Sequence, residues 1–323
     1  MESQAITYRN LVDESDYPLL LEINHSSRQA DGSVQRITLQ DVANALAHMD
    51  GLTPQQGVIL ASLGDMPVGY SRLGLYSSRP ETRLYYQISF LRQECRVGDF
   101  WAQMVAENER RLRLVASEHE PAAESYFQAW SEDNQKDWMG VLAQSGYQVA
   151  RRFNNMLYHL GEAPQIALPA GFEIRPVQPD HMHAVWQAQK EMNASLFENV
   201  AEDWLEDKYP AWLANPENNP RCWQIAWVGE QLAGMVLARV DDMQNNESGR
   251  LHGHTEHIFV RPAWRGRGLA SALIARSLQV LKDQGVTEAE LGVDSENESA
   301  AFRLYQRLGY QTYSVDTWYR KPF

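Results

Sequence analysis

Two arginines and two glycines lie at the start of a helical pattern, in the run Arg265-Gly266-Arg267-Gly268-Leu269-Ala270. Apolar residues then recur at three- and four-residue spacing as far as Leu281, and Gly285 ends the pattern. The N-terminus of a helix offers unpaired backbone N–H groups and a partial positive charge, and glycine lets an anion come close to the backbone. The run therefore predicts a pyrophosphate site, with an ordinary surface turn as the alternative.

A strand is predicted directly before this loop, from His252 to Val260, because its end is rich in β-branched and aromatic residues. Arg261-Pro262 closes it. Within the strand, His252, His254 and Glu256 alternate onto one face. Histidine suits proton abstraction near neutral pH, so this face is either a site of proton transfer or an ordinary solvated strand face.

The second half of the chain has the pattern of a mixed α/β fold, with a largely antiparallel, twisted sheet flanked by helices. A two-residue turn at Gly229-Glu230 joins two of its strands as a hairpin. In order, the predicted elements are a strand over 172–177, helices over 180–195 and 201–214, hairpin strands over 223–228 and 232–240, the strand to 260, the helix to 282, a strand over 289–293, a helix from 295 and a strand over 310–319.

The first half repeats this plan. Gly309-Tyr310-Gln311 follows Gly146-Tyr147-Gln148 by the same interval that separates Asn297 from Asn134. Such spacing predicts two domains of one fold. Prolines and glycines between them mark a linker, so we expect domains over 1–162 and 172–323 joined by 163–171.

Length and composition limit the classes of protein that this chain can be. Its 323 residues fit two domains, and its net charge of −13 argues against nucleic-acid binding. No membrane span or signal peptide is recognisable, so we expect a cytoplasmic protein without membrane partners. Cys95 and Cys222 are too few and too far apart to suggest a disulfide framework or a metal cluster. The sequence leaves open whether the chain forms a homodimer.

The second half resembles the GNAT superfamily of acetyl-CoA-dependent N-acetyltransferases. Arg265, Gly268 and Ala270 match that family's pyrophosphate loop, and Asn297, Tyr305 and Gly309-Tyr310 match its later signature. The resemblance is specific over 172–323 and faint over 5–160, so the whole chain resembles a tandem GNAT protein, an arrangement also seen in mycothiol synthases. It implies acetyl transfer from acetyl-CoA to a primary amine of a small molecule, in the C-terminal domain and without a metal.

The resemblance also implies roles for individual residues. The loop from Arg265 to Ala270, including Gly266, Arg267, Gly268 and Leu269, would bind the CoA pyrophosphate, and Asn297 would lie at the cofactor. The strand residues Ile258, Phe259 and Val260 would pair with the pantetheine amides. Either His254 or Glu256 would be the base, and Tyr305 the general acid that protonates the leaving thiolate. The alternative for Tyr305 is a place in the core, because Ala301, Leu304 and Leu308 share its helical spacing.

The first half departs from the family pattern at the positions where the family has its catalytic tyrosine and its pyrophosphate loop. Leu142 stands where the repeat would place the tyrosine, and the glycine-loop counterpart is the shortened run Arg96-Val97-Gly98-Asp99. The Asp99 carboxylate at a helix start would repel a pyrophosphate. We therefore expect a degenerate N-terminal domain. Two other functions stay open from sequence alone, a non-catalytic acyl-CoA-binding or regulatory module and a Rossmann-like dinucleotide-binding protein.

Overall fold

The computed structural model describes residues 6–33, 37–79, 81–96, 98–196, 204–215, 218–240, 251–295 and 300–323. The chain divides into two compact units, Met1–Arg152 with Asp316–Phe323, and Phe153–Val315. The second unit thus begins at Phe153, and the last eight residues belong to the first unit. The linker over 163–171 stays a prediction.

The first unit begins with a strand and three helices and continues with alternating strands and helices. Its elements are β1 (Ile6–Asn10), α1 (Tyr17–Ala30), α2 (Leu39–Ala47), α3 (Pro54–Gly57), β2 (Val58–Leu63), β3 (Met66–Arg79), β4 (Thr82–Leu91), α4 (Phe100–Ser117), β5 (Glu124–Glu132), α5 (Lys136–Gln144) and the start of β6 (Gln148–His159).

The second unit has the same order of strands and helices, except that its described residues contain two helices rather than three between its first two complete strands. It contains the rest of β6, then β7 (Glu173–Ile174), α6 (Met182–Leu196), α7 (Tyr209–Ala214), β8 (Gln224–Val228), β9 (Gln231–Val240), β10 (His252–Val260), α8 (Leu269–Asp283), β11 (Glu288–Asp294), α9 (Ala300–Leu308) and the start of β12 (Gln311–Pro322).

Each unit has its own run of paired strands. In the first unit the order is β1-β2-β3-β4-β5, and the end of β12 pairs with β5. In the second unit the order is β7-β8-β9-β10-β11, and the end of β6 pairs with β11. These pairs are antiparallel except β4–β5 and β10–β11, which are parallel because α4 and α8 cross over between their strands. The mixed, largely antiparallel fold is as predicted.

Helices cover both faces of each sheet and create two cores in each unit. In the second unit α8 and α9 pack on one face and α6 on the other. In the first unit α4 and α5 pack on one face and α1 and α2 on the other. The apolar stripe predicted for α8 is the buried one, since Leu273, Ile274, Leu278 and Leu281 are all completely buried.

The repeated glycines occupy equivalent positions in the two units. Gly64 and Gly229 form the turns of the two hairpins with φ angles of 59° and 56°. Gly69 and Gly234 allow close approach of a neighbouring strand, since an added Cβ would lie 2.8 Å from the Phe90 carbonyl oxygen and 3.0 Å from another backbone carbonyl oxygen, respectively. The same packing requirement in both units explains why these glycines recur in the sequence.

Two predicted elements are shorter in the structure. The helix expected over 201–214 is helical only in α7, which follows a single 3-10 turn at Glu206–Lys208, and residues 201–203 lie outside the described part of the chain. Pro210 lies in the first turn of α7, where its ring would clash with an earlier helical turn. The strand expected over 172–177 pairs only at Glu173–Ile174.

A buried ion pair fixes the loop before α4 to the end of α1. Arg96 makes a bidentate contact with Asp31 and also donates to the Ser27 carbonyl oxygen at 2.7 Å. The two side chains are 9% and 5% exposed. The arginine of the degenerate loop therefore has a structural role in the first unit.

We expect Arg96→Met to lower the free energy of unfolding by about 3–5 kcal/mol, because it leaves the Asp31 carboxylate buried without its partner. Urea unfolding followed by circular dichroism measures this loss. Arg110→Met is the control, since Arg110 pairs with Glu107 on the surface of α4 and should leave the midpoint nearly unchanged. Equal midpoints for both variants would contradict the assignment.

Candidate functional site

The parallel strands β10 and β11 separate part of the way along their length. They pair only where His252–His254 face Glu288–Glu290, yet β10 continues to Val260 and β11 to Asp294. In an extended strand, alternate backbone groups point to the two neighbours. Beyond His254, the groups on the β11 side of β10 therefore have no strand to pair with in the described residues. An extended ligand can pair with this edge.

A β-bulge in β10 coincides with the separation. The register with β9 shifts between Glu256 and Phe259, and His257 has a φ of 48°. It is the one non-glycine residue with a left-handed φ in the described chain, and a bulge bends its strand and increases the local twist. The sequence gives little signal for this bulge, because histidine adopts a left-handed φ more often than most non-glycine residues but still rarely.

The glycine loop lies where β10 ends and α8 begins. Gly266 and Gly268 have φ angles of 74° and 80°, and both lie in the exposed loop. The Arg265 Nε donates to the Val260 carbonyl oxygen at 2.9 Å, which fixes the loop to the strand. Leu269, only 1% exposed, anchors the first turn of α8 in the core. No acidic residue of that first turn offsets the positive end of the helix, and an added Cβ at Gly268 would meet no atom within 4 Å.

The two candidate bases lie on the face of the sheet that α6 covers further along. Glu256 pairs across from Leu237, which belongs to the core under α6. The His254 Nδ1 lies 3.6 Å from the Glu256 Oε1, and the Arg239 guanidinium contacts both Glu256 oxygens at 3.3 and 3.4 Å. Glu256 is the last side chain on this face before the bulge. Sequence reasoning did not find Arg239.

The candidate acid lies on the other face of the sheet. Tyr305, on α9, is 7% exposed and belongs to the core under α8, and burial raises its pKa to about 12. Its ring contacts Tyr310, whose hydroxyl is hydrogen-bonded to the Thr255 Oγ1 at 2.6 Å. Thr255 is the first β10 residue beyond the paired segment, so Tyr310 connects Tyr305 to the point of separation.

The predicted site residues therefore collect around one end of β10. His254 and Glu256 lie on one face together with Phe259, whereas Ile258 and Val260 pack on the α8 side. The loop from Arg265 to Ala270 lies just beyond this end of β10. Asn297 lies outside the described residues, so its predicted contact with the cofactor is not observed.

The corresponding region of the first unit is built differently. There β4 and β5 pair over six positions, from Thr82–Gln87 to Glu124–Ala129, and β4 keeps its register with β3 from Arg83 to Leu91 without a bulge. The Asp99 carboxylate accepts from the Gln103 Nε2 at 2.8 Å at the start of α4. At the predicted tyrosine position, Leu142 is fully buried.

Two features bear on cofactors and membranes. Among the described residues, no three His, Cys, Asp or Glu side chains are grouped as metal ligands would be. None of the helices in the described part of the chain combines the length and apolar character that a membrane span requires.

Comparison with known proteins relates this chain to acetyltransferases. Residues 184–310 match the family model of the Acetyltransferase (GNAT) family. The mycothiol acetyltransferase of Streptomyces scabiei is 28% identical over 277 residues, covering 83% of this chain and 81% of the relative. Further mycothiol acetyltransferases align over smaller shares of their length, such as 63% for that of Streptomyces coelicolor.

Solved structures show the same fold. A GCN5-related N-acetyltransferase from Sphaerobacter thermophilus superposes with a TM-score of 0.78 at 21% identity, covering 98% of this chain and 95% of that one. A tandem GNAT protein from the clavulanic acid biosynthesis pathway superposes with a TM-score of 0.69 at 14% identity, covering 98% of both chains.

The family match and these relatives indicate an acyltransferase. More particularly, residues 184–310 resemble the GNAT family of acetyltransferases, and the fold of the whole chain is similar to that of a tandem GNAT protein. The sequence-based alternatives of a Rossmann-like protein and a non-catalytic module are thereby set aside.

We expect Gly268→Ala to raise the Kd for acetyl-CoA by about tenfold or more, equivalent to about 1.4 kcal/mol. An added Cβ at this position meets no atom of the chain within 4 Å and would lie where an anion approaches the helix. Isothermal titration calorimetry measures the change.

Gly229→Ala is the matched control, because Gly229 also has a positive φ and open space around it but lies in a hairpin turn. Both variants carry the strain of a left-handed alanine, about 1–2 kcal/mol. If both bind acetyl-CoA equally well, the loop does not hold the pyrophosphate.

Proposed function

We propose that the second unit transfers an acetyl group from acetyl-CoA to a primary amine of a small-molecule acceptor. The observation that carries the proposal is the separation of β10 from β11, which begins beside Thr255 and ends at the glycine loop. The free edge of Ile258, Phe259 and Val260 would pair with the pantetheine amides as an added strand does. The backbone N–H groups of Gly268, Leu269 and Ala270 and the Arg265 guanidinium would hold the pyrophosphate.

The cofactor's contribution is a thioester, a carbonyl group activated toward attack by an amine. A backbone N–H at the end of β10, between Ile258 and Val260, would polarise that carbonyl, since negative charge develops on its oxygen during attack. The left-handed conformation of His257 reorients the peptide groups that follow it. The bulge thus gives the strand end a geometry that a regular strand lacks.

The acceptor amine must lose a proton, because an alkylammonium group has a pKa of about 10 and is charged at neutral pH. We assign proton acceptance to Glu256, with His254 as the residue to which the proton passes. Glu256 lies next to the bulge, whereas His254 lies in the row where β10 and β11 are still paired. The distance of 3.6 Å between the His254 Nδ1 and the Glu256 Oε1 suits such a pair after a small adjustment.

Tyr305 would act on the leaving sulfur from the opposite face. Its pKa of about 12 keeps the hydroxyl protonated at neutral pH. Full transfer to a thiolate, with a reference pKa of about 8.5, would cost about 5 kcal/mol in the unliganded environment. We therefore assign Tyr305 the role of a hydrogen-bond donor that stabilises the developing thiolate, without complete transfer of its proton.

The candidate base and the candidate acid lie on opposite faces of the sheet, which supports the proposed transfer. Glu256 and His254 lie on the α6 side and Tyr305 on the α8 side, so the opening between β10 and β11 separates base from acid. An acyl group placed in the opening would meet the amine from one face and leave its sulfur on the other. The names of the relatives point to a mycothiol-type acceptor, and we extend to this chain only the small primary amine.

We expect Tyr305→Phe to lower kcat about a hundredfold with the KM for acetyl-CoA unchanged, because the lost hydrogen bond forms only as charge develops on sulfur. Steady-state kinetics with an amine panel measures both constants. Tyr319→Phe, at a buried tyrosine of the first unit, is the control and should keep kcat. A kcat within twofold of the parent for Tyr305→Phe would remove Tyr305 from the mechanism.

The pH dependence of kcat/KM separates the two candidate bases. A base accepts a proton only when deprotonated, so activity rises with pH through the pKa of that base. We expect Glu256→Gln to lose about a hundredfold or more at every pH and His254→Gln to lose less. Because Tyr305 stays protonated, its ionisation should cause no loss below about pH 10. A larger loss for His254→Gln would transfer the role to histidine.

A further inference from the structure

The first unit contains a cavity of 270 Å³ where β4 and β5 stop pairing. Their last paired residues are Gln87 and Ala129, and the next residues of both strands, 88–90 and 130–132, line the cavity. Successive residues of a strand point to opposite faces, so a cavity lined by three in a row from each strand lies in the opening between the strands. The first unit therefore has an opening between its two parallel strands, β4 and β5.

The charge of this cavity is unsuited to CoA. Three carboxylates line it, those of Asp31, Glu132 and Asp316, against the single guanidinium of Arg28. Asp31 is already paired with Arg96. Burial raises the pKa of Glu132, which Asp316 also raises and Arg28 lowers.

A buried hydroxyl group in the cavity lacks a hydrogen-bond partner. Ser131 is 3% exposed, and its Oγ bonds to no atom in the described part of the chain. Ser89, on the opposite strand, differs because its Oγ contacts the Ser71 Oγ at 2.8 Å and the Asn108 Nδ2 at 3.1 Å. A buried hydroxyl without a partner costs free energy, and a ligand that bonds to it would recover that cost.

Aromatic side chains complete the lining. Trp130, Trp138 and Phe90 border the same space as Glu132. The Trp138 indole N–H donates to the Trp130 carbonyl oxygen at 2.8 Å, which fixes its ring. Carboxylates together with aromatic rings recognise organic cations, because the ring faces attract positive charge and the rings cover the carbon chain. A hydrated metal ion would gain little from such rings.

We propose that this cavity binds a small organic monocation of the primary alkylammonium class. Glu132 and the Ser131 hydroxyl accept hydrogen bonds from its ammonium group, and Trp130 and Trp138 contact its carbon chain. The volume lies just below the range of about 300–1,000 Å³ found for drug-sized ligands, which suits a short alkyl chain. The site is separate from the acetyl-transfer site of the second unit and does not rest on it.

Fluorine NMR of the full chain labelled with 5-fluorotryptophan tests the proposal. The resonances of Trp130 and Trp138 are assigned with the variants Trp130→Phe and Trp138→Phe, and butylammonium chloride is the probe. We expect both resonances to shift on saturable binding. Glu132→Gln should weaken this binding at least tenfold, whereas Asp137→Asn, at an exposed acidic residue of the neighbouring α5, should leave it unchanged.

Three outcomes would overturn the proposal. The first is that neither resonance moves up to the highest amine concentration at which the protein stays folded. The second is that Glu132→Gln, with a normal circular dichroism spectrum, binds butylammonium as the parent does. The third is that acetyl-CoA, rather than the amine, shifts Trp130. Amine binding confined to the second unit would leave both resonances in place, so acetyltransferase activity and this site are tested independently.

Discussion

Strands β10 and β11 separate from each other while each stays paired with its outer neighbour. β11 pairs with β6 along its whole length from Glu288 to Asp294, while β10 pairs with β9 through a bulge that changes its course. The Thr255 hydroxyl contacts Tyr310 at the point where the two strands part. Backbone groups of β10 on this side therefore have no strand partner among the described residues, and the glycine loop and Tyr305 lie around that opening.

The two units place an equivalent arginine differently. Arg265 and Arg96 both precede a helix that crosses over between parallel strands, but Arg265 lies in the exposed loop and donates to the Val260 carbonyl oxygen, whereas Arg96 is buried against Asp31. In the second unit the neighbouring strand end is bulged, and in the first it is regular. The Arg96 guanidinium is therefore held inside the first unit, whereas Arg265 lies at the surface of the second.

Local sequence patterns were sufficient to predict the elements whose structure depends on residues close by in the chain. The amphipathic spacing of α8, the glycines before it and the hairpin at Gly229 are all encoded within a few positions, and the structure has them as predicted. The bulge at His257 could not be predicted, because its conformation depends on pairing with β9 rather than on its own residue type. The ion pair of Glu256 with Arg239 depends likewise on the register between two strands.

Local sequence patterns could not predict that strands at the ends of the two halves would be exchanged between the two units. Residues 153–159 complete the second unit, and Asp316–Pro322 complete the first by pairing with β5. Side-chain alternation predicts that a segment is a strand, but the partner of that strand is selected by contacts far away in the sequence. The strand propensity of Gln311–Pro322 therefore could not predict which unit this strand would join.

This exchange has a consequence for the biosynthesis of the protein. The strand that pairs with β5 is synthesised after the second unit, and Lys321 within it contacts the buried Glu109 of α4 at 2.8 Å. The first unit therefore cannot complete its sheet until residues 316–322 have left the ribosome. Until then the edge of β5 stays without this partner, throughout the synthesis of the second unit.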